Sequence, residues 1–282
     1  MNLRPFLMLA PLALLAGCGG QPQSLSSPAS TSAAGQTMNA SSGPGSTSST
    51  TSTSSNNVSN TGSSQPAIPG NATTLNDIQK IPSWESCTTC AGGATAVYSQ
   101  MAGVSSPSLS GASAQFSLLS GTAPWGQALW WKYLTADNSA THFVYDLSFY
   151  MDNPTAAQAL EFGVSQSTGA NRYEFSTQCD MQGDHTWRVW NPTARSWSST
   201  GAPCPAPAAN TWNHLIWEFE RDASDQVIFT AVTLNGSRTV INMTMSHQSD
   251  SSSGIDISFQ MDARSGPTLY SVWLDQIKLS YW

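Results

Sequence analysis

Strict alternation of apolar and polar residues is the feature that most constrains how this chain can fold. In residues 142–150, Phe143, Tyr145, Leu147 and Phe149 alternate with a mainly polar face, a period typical of a half-buried β-strand. The same period recurs in segments separated by turn residues, so we predict ten or more strands in an all-β fold of two packed antiparallel sheets. These further segments are 159–165, 172–180, 187–190, 214–221, 227–234, 239–245, 255–262 and 269–282.

The alternation also predicts where polar side chains point. Segments 159–165 and 172–180 are separated by a hairpin-length connection, so Glu161 and Glu174 are expected on the same side of one sheet. In the last segment the regular alternation of inward-facing residues is interrupted between Leu274 and Ile277. This interruption predicts a β-bulge near residues 275–276.

A long segment of different composition precedes these strands. No charged residue occurs from Pro5 to Asn76, and residues 18–76 are mostly Ser, Thr, Gly, Asn, Ala and Pro. Such a segment buries too little apolar surface to offset the entropy of ordering, which predicts a disordered tether with a reach of roughly 40 Å. Residues 77–282 are then one folded domain.

The N-terminus resembles a secretory signal. Arg4 is followed by an apolar segment, 6–15, and by small residues up to Cys18. The run Leu-Ala-Gly before Cys18 resembles the bacterial lipobox, which implies removal of residues 1–17 and diacylation of the Cys18 thiol. We therefore expect an exported protein that touches the membrane only through its lipid anchor, in the outer membrane or at the cell surface. A plain signal peptide is the alternative.

The charge balance excludes some partners. The chain has 10 Lys and Arg against 17 Asp and Glu, and loss of Arg4 with the signal makes the mature protein more acidic. An acidic surface repels phosphate backbones and anionic polysaccharides, so we expect no nucleic-acid partner and no uronate lyase activity.

The cysteines predict two disulfides. Lipidation of Cys18 leaves four cysteines in an oxidising compartment, for which three pairings exist. We favour Cys87 with Cys90, in a tight loop, and Cys179 with Cys204, which closes a longer polar excursion. Because no βαβ pattern surrounds Cys87 and Cys90, a structural bridge is favoured over a redox centre.

Tryptophans are frequent, with 11 in the chain. Trp130 and Trp131 are adjacent in a predicted strand, so one must face away from the core. Trp187 and Trp190 have opposite parity in another predicted strand, so one of them must also face away from the core, and Trp197 is expected in a Ser-rich loop. Exposed rings make flat platforms for sugar faces. The alternative is that these rings cover sheet edges.

Polar residues on the predicted strands suggest a second set of ligand contacts. Glu161 and Glu174 are the best candidates for the carboxylate pair of a glycoside hydrolase, which requires separations of about 5.5 Å or about 6.5–9.5 Å. Arg172 and Gln178 extend the same polar face, and Arg172 is expected to form a surface ion pair with Glu161. The acid motifs of jelly-roll glucanases are absent after Glu161, so no catalytic residue is assigned beyond this alternative pair.

Metal binding has little support in the sequence. The four histidines show no ligand spacing, so no metal site is assigned. Calcium is the one possible cofactor, through oxygens of Asp137, Asp152, Asp180 and Asp184, although such residues more often form turns.

The C-terminal half resembles a known fold family. Residues 210–219 contain Trp-Asn-His-Leu, residues 235–236 form an Asn-Gly turn, and residues 270–279 contain Leu-Asp-Gln-Ile. This order is similar to that of concanavalin A-like and laminin G-like jelly rolls. The resemblance implies two antiparallel sheets with ligands on a concave face or its rim.

Together these features favour a non-catalytic, lectin-like domain on a surface-anchored lipoprotein. The first alternative is a polysaccharide-active enzyme that uses Glu161 and Glu174, and the second is an adhesive protein-binding module. The sequence leaves the glycan, the role of calcium and the oligomeric state open. The expected ligand contacts are Trp130, Trp131, Glu161, Arg172, Glu174, Gln178, Trp190 and Trp197.

Overall fold

A computed structural model describes residues 66–88, 90 and 92–282. The proposed signal, the Cys18 lipidation site and most of the predicted tether lie outside these residues. Within the described part, the chain forms a sandwich of two antiparallel sheets and contains no α-helix. No helix in that part is long and apolar enough to cross a membrane.

Each sheet has eight strands. The first sheet contains β1 (Thr73–Leu75), β3 (Val97–Val104), β4 (Ser113–Leu119), β6 (His142–Met151), β11 (Trp212–Arg221), β12 (Val227–Leu234), β13 (Ser237–Met245) and β16 (Leu269–Tyr281). The second sheet contains β2 (Glu85–Cys87), β5 (Gly126–Thr135), β7 (Ala157–Thr168), β8 (Asn171–Asp180), β9 (Thr186–Asn191), β10 (Ser196–Pro203), β14 (Gln248–Ser249) and β15 (Ser253–Ala263).

Strand order determines which side chains can meet. The first sheet has the order β13-β12-β11-β6-β16-β4-β3, with β1 beside β16. The second has the order β10-β9-β8-β7-β15-β5-β2, with β14 beside β8. Two short 3-10 helices, Ile78–Lys80 and Pro154–Ala156, complete the regular structure of this part.

The predicted alternation is confirmed, and it builds the core. On β7, Leu160, Phe162 and Val164 are buried between the sheets, whereas Glu161 points to the opposite face. Phe162 contacts Trp187 and Phe259 with ring centroids 6.1 and 5.4 Å apart. Burying an aromatic or aliphatic side chain of this size contributes roughly 1.5–3 kcal/mol, so this aromatic layer holds the sheets together.

Some predicted boundaries are wrong. Thr73–Leu75 lies in the range predicted as tether, yet it pairs with β16, so ordered structure begins before residue 77. Trp197 lies on β10 rather than in a loop, because Ser196–Pro203 pairs with β9. Serine and glycine favour loops in isolation, but pairing with a neighbouring strand overrides that preference.

Both predicted disulfides are confirmed. Cys87 and Cys90 are bonded with Cα atoms 5.9 Å apart, and Cys179 and Cys204 with Cα atoms 5.6 Å apart. The second bond ties the end of β8 to the segment that follows β10. It therefore clamps the edge of the second sheet.

The predicted bulge in β16 is also confirmed, and it contains a buried carboxylate. The pairing of β16 with β6 shifts between Asp275 and Lys278. One Asp275 oxygen accepts hydrogen bonds from Ser108 Oγ and from the Leu109 and Ser110 amides, at 2.6, 2.6 and 3.0 Å. The other oxygen accepts from Gln79 Nε2, Ser110 Oγ and the Gln276 amide. Six donors thus bind one side chain.

These donors hold Asp275 ionised. Burial alone would raise the pKa of this carboxyl, but the hydrogen bonds from Ser108, Ser110 and Leu109 outweigh it and lower the pKa to about 2. The carboxylate therefore joins the loop before β4, the first 3-10 helix and the last strand.

We expect Asp275→Asn to lower the free energy of unfolding at pH 7 by about 2–4 kcal/mol, because the amide nitrogen would face three donors. In the parent protein the folded pKa lies below the unfolded one, so stability should fall as pH drops from about 4 to 2. Urea unfolding across this range tests both points. A variant with the parent's stability and the same loss of stability below pH 4 would contradict this role, and Glu85→Gln is the control for loss of an exposed carboxylate.

Candidate functional site

The outer face of the second sheet carries most of the residues selected from the sequence. On the central strands every second residue belongs to this face, because the residues between them point into the core. Its members on the three central strands are Ala159, Glu161, Gly163, Ser165, Arg172, Glu174, Ser176, Gln178, Asp180, Asp256, Ser258, Gln260 and Asp262. Trp131 on β5 and Trp190 on β9 extend it on either side.

A row of small residues crosses the middle of this face. Register places Gly163 between Ser258 and Ser176 on the neighbouring strands. Trp131 pairs with Ser258 on one side. On the other side Trp190 follows Val189, which pairs with Thr177, so Trp190 lies beside Ser176.

These small side chains lie between the larger side chains of Trp131 and Trp190, and we call this row the central depression. Ser176 and Ser258 are partly exposed, although the polar residues of the next row are buried. A Cβ at Gly163 would collide with the Ser258 hydroxyl, so the floor has no room for a side chain at this position. The floor spans three strands, which corresponds to about 10 Å between the outer two.

The tryptophans differ from expectation in their exposure. Trp131 and Trp197 are half-buried and border the face. Trp190 was expected to be exposed, but only 2% of its surface is accessible, because it packs edge-on against Trp197 with centroids 5.4 Å apart. Trp130 is 1% exposed and lies in the core against Phe116. Trp130 and Trp190 are therefore both covered, and Trp190 packs beside Trp197, its pairing partner on β10.

A buried acidic pair lies on one side of the depression. Gln178 Nε2 donates to Glu161 Oε1 at 2.8 Å, and Gln260 Nε2 donates to Asp262 Oδ1 at 2.9 Å. Glu161 and Asp262 also hydrogen-bond to each other. Two carboxyl groups can do so only when they share a proton.

Burial is the main cause of this protonation. It raises the pKa of Glu161 well above its usual value, and the neighbouring Asp262 charge raises it further. Burial also raises the pKa of Asp262, to about 7, against the opposing effect of its hydrogen bonds. The pair therefore holds a proton near neutral pH.

Arginine and two further acids lie on the other side. Arg172 Nη1 lies 3.3 Å from Asp256 Oδ2, and Nη2 donates to Ser165 Oγ at 2.8 Å. The predicted ion pair between Arg172 and Glu161 is wrong, because register places Arg172 opposite Ser167. Glu174 accepts hydrogen bonds from Ser176 and from Gln248 of β14.

The alternative catalytic pair is not brought together. Glu161 and Glu174 do point to the same face, as predicted. Glu161 pairs with Gln178, however, and Glu174 with Ser165. Four residues along β8 separate the two rows, or about 13 Å of backbone, although the charge of Glu174 still helps to raise the pKa of Glu161.

Several polar groups on this face have no partner among the described residues. They are Trp131 Nε1, Gln127 Nε2 and Gln260 Oε1, all on β5 and β15. Buried groups without a partner are uncommon and costly, by about 1–3 kcal/mol each. All three atoms are buried, and Gln127 lies four residues along β5 from Trp131.

The predicted calcium donors have other partners. Asp137 Oδ1 accepts from the Ser139 and Ala140 amides. Asp180 and Asp184 both bind Arg188, at 2.5 and 3.5 Å. The described residues contain no cluster of three or more His, Cys, Asp or Glu that could hold a metal ion.

Sequence reasoning missed Asp262, Gln260 and Asp256. Their signal was present, since all three alternate with apolar residues in the predicted strand 255–262. What the sequence lacked was the strand order. Only the pairing of β15 with β7 shows that Asp262 and Glu161 are neighbours.

We expect Asp262→Asn to flatten the pH dependence of stability between pH 4 and 8. The folded pKa of Asp262 exceeds the unfolded value, so the parent's contribution is complete below about pH 4 and is lost as pH rises through 7. An amide has no proton to release. The free energy of unfolding of the parent should therefore fall by about 2–4 kcal/mol more than that of the variant between pH 4 and 8. Urea unfolding at each pH measures this, with Asp137→Asn as control. Parallel curves for parent and Asp262→Asn would disprove the shared proton.

No family model and no curated protein matches this sequence. Solved structures of similar shape include a carbohydrate esterase from Shiga toxin-encoding bacteriophage phi24B, with 17% identity, a TM-score of 0.45 and coverage of 74% of this chain and 99% of that one. A mutant alginate lyase in complex with an alginate trisaccharide has 12% identity, a TM-score of 0.43 and coverage of 76% and 98%. Peanut lectin has 12% identity, a TM-score of 0.38 and coverage of 74% and 94%. At these values the similarity assigns this chain neither a family nor an activity.

Proposed function

We propose that the outer face of the second sheet binds a glycan without transforming it. The observation that carries this proposal is the central depression, in which Ser258, Gly163 and Ser176 form a row bordered by the half-buried ring of Trp131 on β5 and, beyond the covered Trp190, by that of Trp197 on β10. Indole rings bind the apolar faces of sugars, and hydroxyl and amide groups bind sugar hydroxyls.

The hydrogen-bonding groups of the face suit this ligand. Trp131 Nε1 and Gln127 Nε2 are donors, and Gln260 Oε1 is an acceptor, that have no partner among the described residues; because all three are buried, a ligand would reach them only if neighbouring side chains move. A sugar hydroxyl both donates and accepts, so it can satisfy either type. Binding would thereby remove the cost of leaving these groups unpaired.

The separation of Glu161 from Glu174 argues against a two-carboxylate hydrolase. Asp262, the acid that does meet Glu161, shares a proton with it, so the two carboxyl groups lie too close to flank a glycosidic bond. A binding role requires no such spacing.

We also propose that Cys18 anchors the protein to the membrane by a lipid, with the residues between Cys18 and β1 as tether. The lipobox-like run before Cys18 supports this proposal. It would place the glycan-binding face at a distance from the lipid surface.

We expect Trp131→Ala to weaken glycan binding by at least tenfold, because truncating an aromatic anchor typically costs about 2 kcal/mol or more. Trp197→Ala should weaken it as well, since that ring borders the face. Affinity electrophoresis against a panel of soluble polysaccharides measures retention, and circular dichroism confirms folding. The matched control is Trp212→Ala on the first sheet, where the half-buried ring packs against Tyr150 with centroids 5.5 Å apart.

Two outcomes would contradict the proposal. Equal loss in Trp131→Ala and Trp212→Ala would locate binding elsewhere. Release of reducing sugar by the parent domain, abolished in Glu161→Gln, would establish catalysis in its place, because an amide cannot act as a general acid.

We expect Cys18→Ser to abolish incorporation of labelled palmitate, since a serine cannot form the thioether that carries the lipid. The parent should partition with membranes, whereas the variant should not. Metabolic labelling followed by membrane fractionation distinguishes these outcomes. Unchanged labelling of the variant would refute the anchor, and Cys87→Ser controls for loss of another cysteine.

A further inference from the structure

Every charged side chain of the outer face next to the central depression already has a partner within the protein. Arg172 binds Asp256 and Ser165. Glu174 accepts from Ser176 and Gln248. No free ion is left here for a charged ligand.

The same holds at the other side of the depression. Arg188 binds Asp180 at 2.5 Å and also reaches Asp184. Glu161 and Asp262 hydrogen-bond to each other and to Gln178 and Gln260. Removing any of these ions from its partner would leave a buried charge uncompensated, which costs several kcal/mol.

The groups that remain available are uncharged. They are Trp131 Nε1, Gln127 Nε2 and Gln260 Oε1, which have no partner among the described residues, and the partly exposed hydroxyls of Ser258 and of Ser176, which already donates to Glu174. These are neutral donors and acceptors, and they match sugar hydroxyls rather than carboxylates.

The balance of charge on the face also opposes an anionic ligand. Five acids lie on its central strands, namely Glu161, Glu174, Asp180, Asp256 and Asp262. Arg172 and Arg188 are the cations that face them. Even with one proton shared by Glu161 and Asp262, the face is negative, and buried charge is screened little by salt.

One exposed cation, Arg264, lies farther along β15. It lines a surface pocket with Thr155, Ala156 and Gly266 at the end of the sheet. Six residues separate it from Ser258, or about 20 Å along an extended strand. It is therefore too distant to neutralise a carboxylate bound at the central depression.

We propose that the central depression selects uncharged glycans and rejects uronate polymers, with Glu161 and Asp262 as the residues that determine this specificity. The inference rests on the proposed function, since it names the substrate class of the same face. An uncharged pyranose ring needs no cation on the protein, and its hydroxyls can hydrogen-bond to the unpaired donors and acceptors. A uronate brings one carboxylate per residue to a negative surface that has no free cation.

Isothermal titration calorimetry tests this with oligosaccharides of equal length. We expect hexamers of glucose, mannose or N-acetylglucosamine to bind at least tenfold more tightly than hexamers of galacturonate or mannuronate. Glu161→Gln/Asp262→Asn should reduce this ratio at least threefold by admitting uronates. Asp137→Asn, which removes a carboxylate away from the face, should leave the ratio unchanged.

The possible results distinguish failure of the proposed specificity from failure of the proposed glycan binding. Uronate binding as tight as neutral binding, and lost in Trp131→Ala, would overturn the specificity while supporting glycan binding at this face. Tighter binding of glucosamine hexamers than of their N-acetylated counterparts would also overturn it, in favour of a cationic ligand. If no glycan binds, or if Trp131→Ala has no effect, the proposed function fails and the specificity with it.

Discussion

The hydrogen bond between Glu161 and Asp262 is the interaction on which the outer face depends. Both carboxyl groups lie on central strands of the second sheet and are almost fully buried. Two ionised groups at that distance in such an environment would repel each other strongly. A shared proton removes most of that cost and lets Gln178 and Gln260 complete the row on either side. The face can then be polar and still be well packed.

The two ends of the pH scale affect different parts of the sandwich. Asp275 stabilises the first sheet as a carboxylate, because six donors surround it, and this stabilisation is lost in acid. Glu161 and Asp262 stabilise the second sheet as a protonated pair, and their contribution is lost as pH rises through 7. Burial alone would raise the pKa of each of these acids. At Asp275 the surrounding hydrogen bonds favour the ionised form and reverse that effect.

Sequence pattern was sufficient for the fold class but not for the site. Alternation in 159–165 and 172–180 showed the direction of each side chain, since direction depends only on residue parity. The bulge at residues 275–276 was detectable for the same reason. Register and strand order depend on contacts between segments distant in sequence, so neither the distance from Glu161 to Glu174 nor the proximity of Asp262 could be predicted.

The solvent exposure of a side chain also could not be predicted from its position in the alternation. Trp190 has the parity of the outer face, yet it is covered, and β10 continues the sheet and places Trp197 against it. The Ser-rich sequence of β10 concealed that strand. A side chain on an outer face is exposed only if no neighbour covers it, and that neighbour belongs to another segment.

The composition of the outer face indicates selection for something other than stability. A sheet face that is mainly buried is most cheaply filled with apolar residues, and replacing buried ionic groups by such residues is often stabilising. Here the face keeps five acids and two arginines, together with unpaired groups on Trp131, Gln127 and Gln260. Gly163 costs further conformational entropy in a strand interior, and the Ser258 hydroxyl occupies the space that a Cβ there would fill. A ligand-binding role would explain the charged rows of this face, which packing alone does not require.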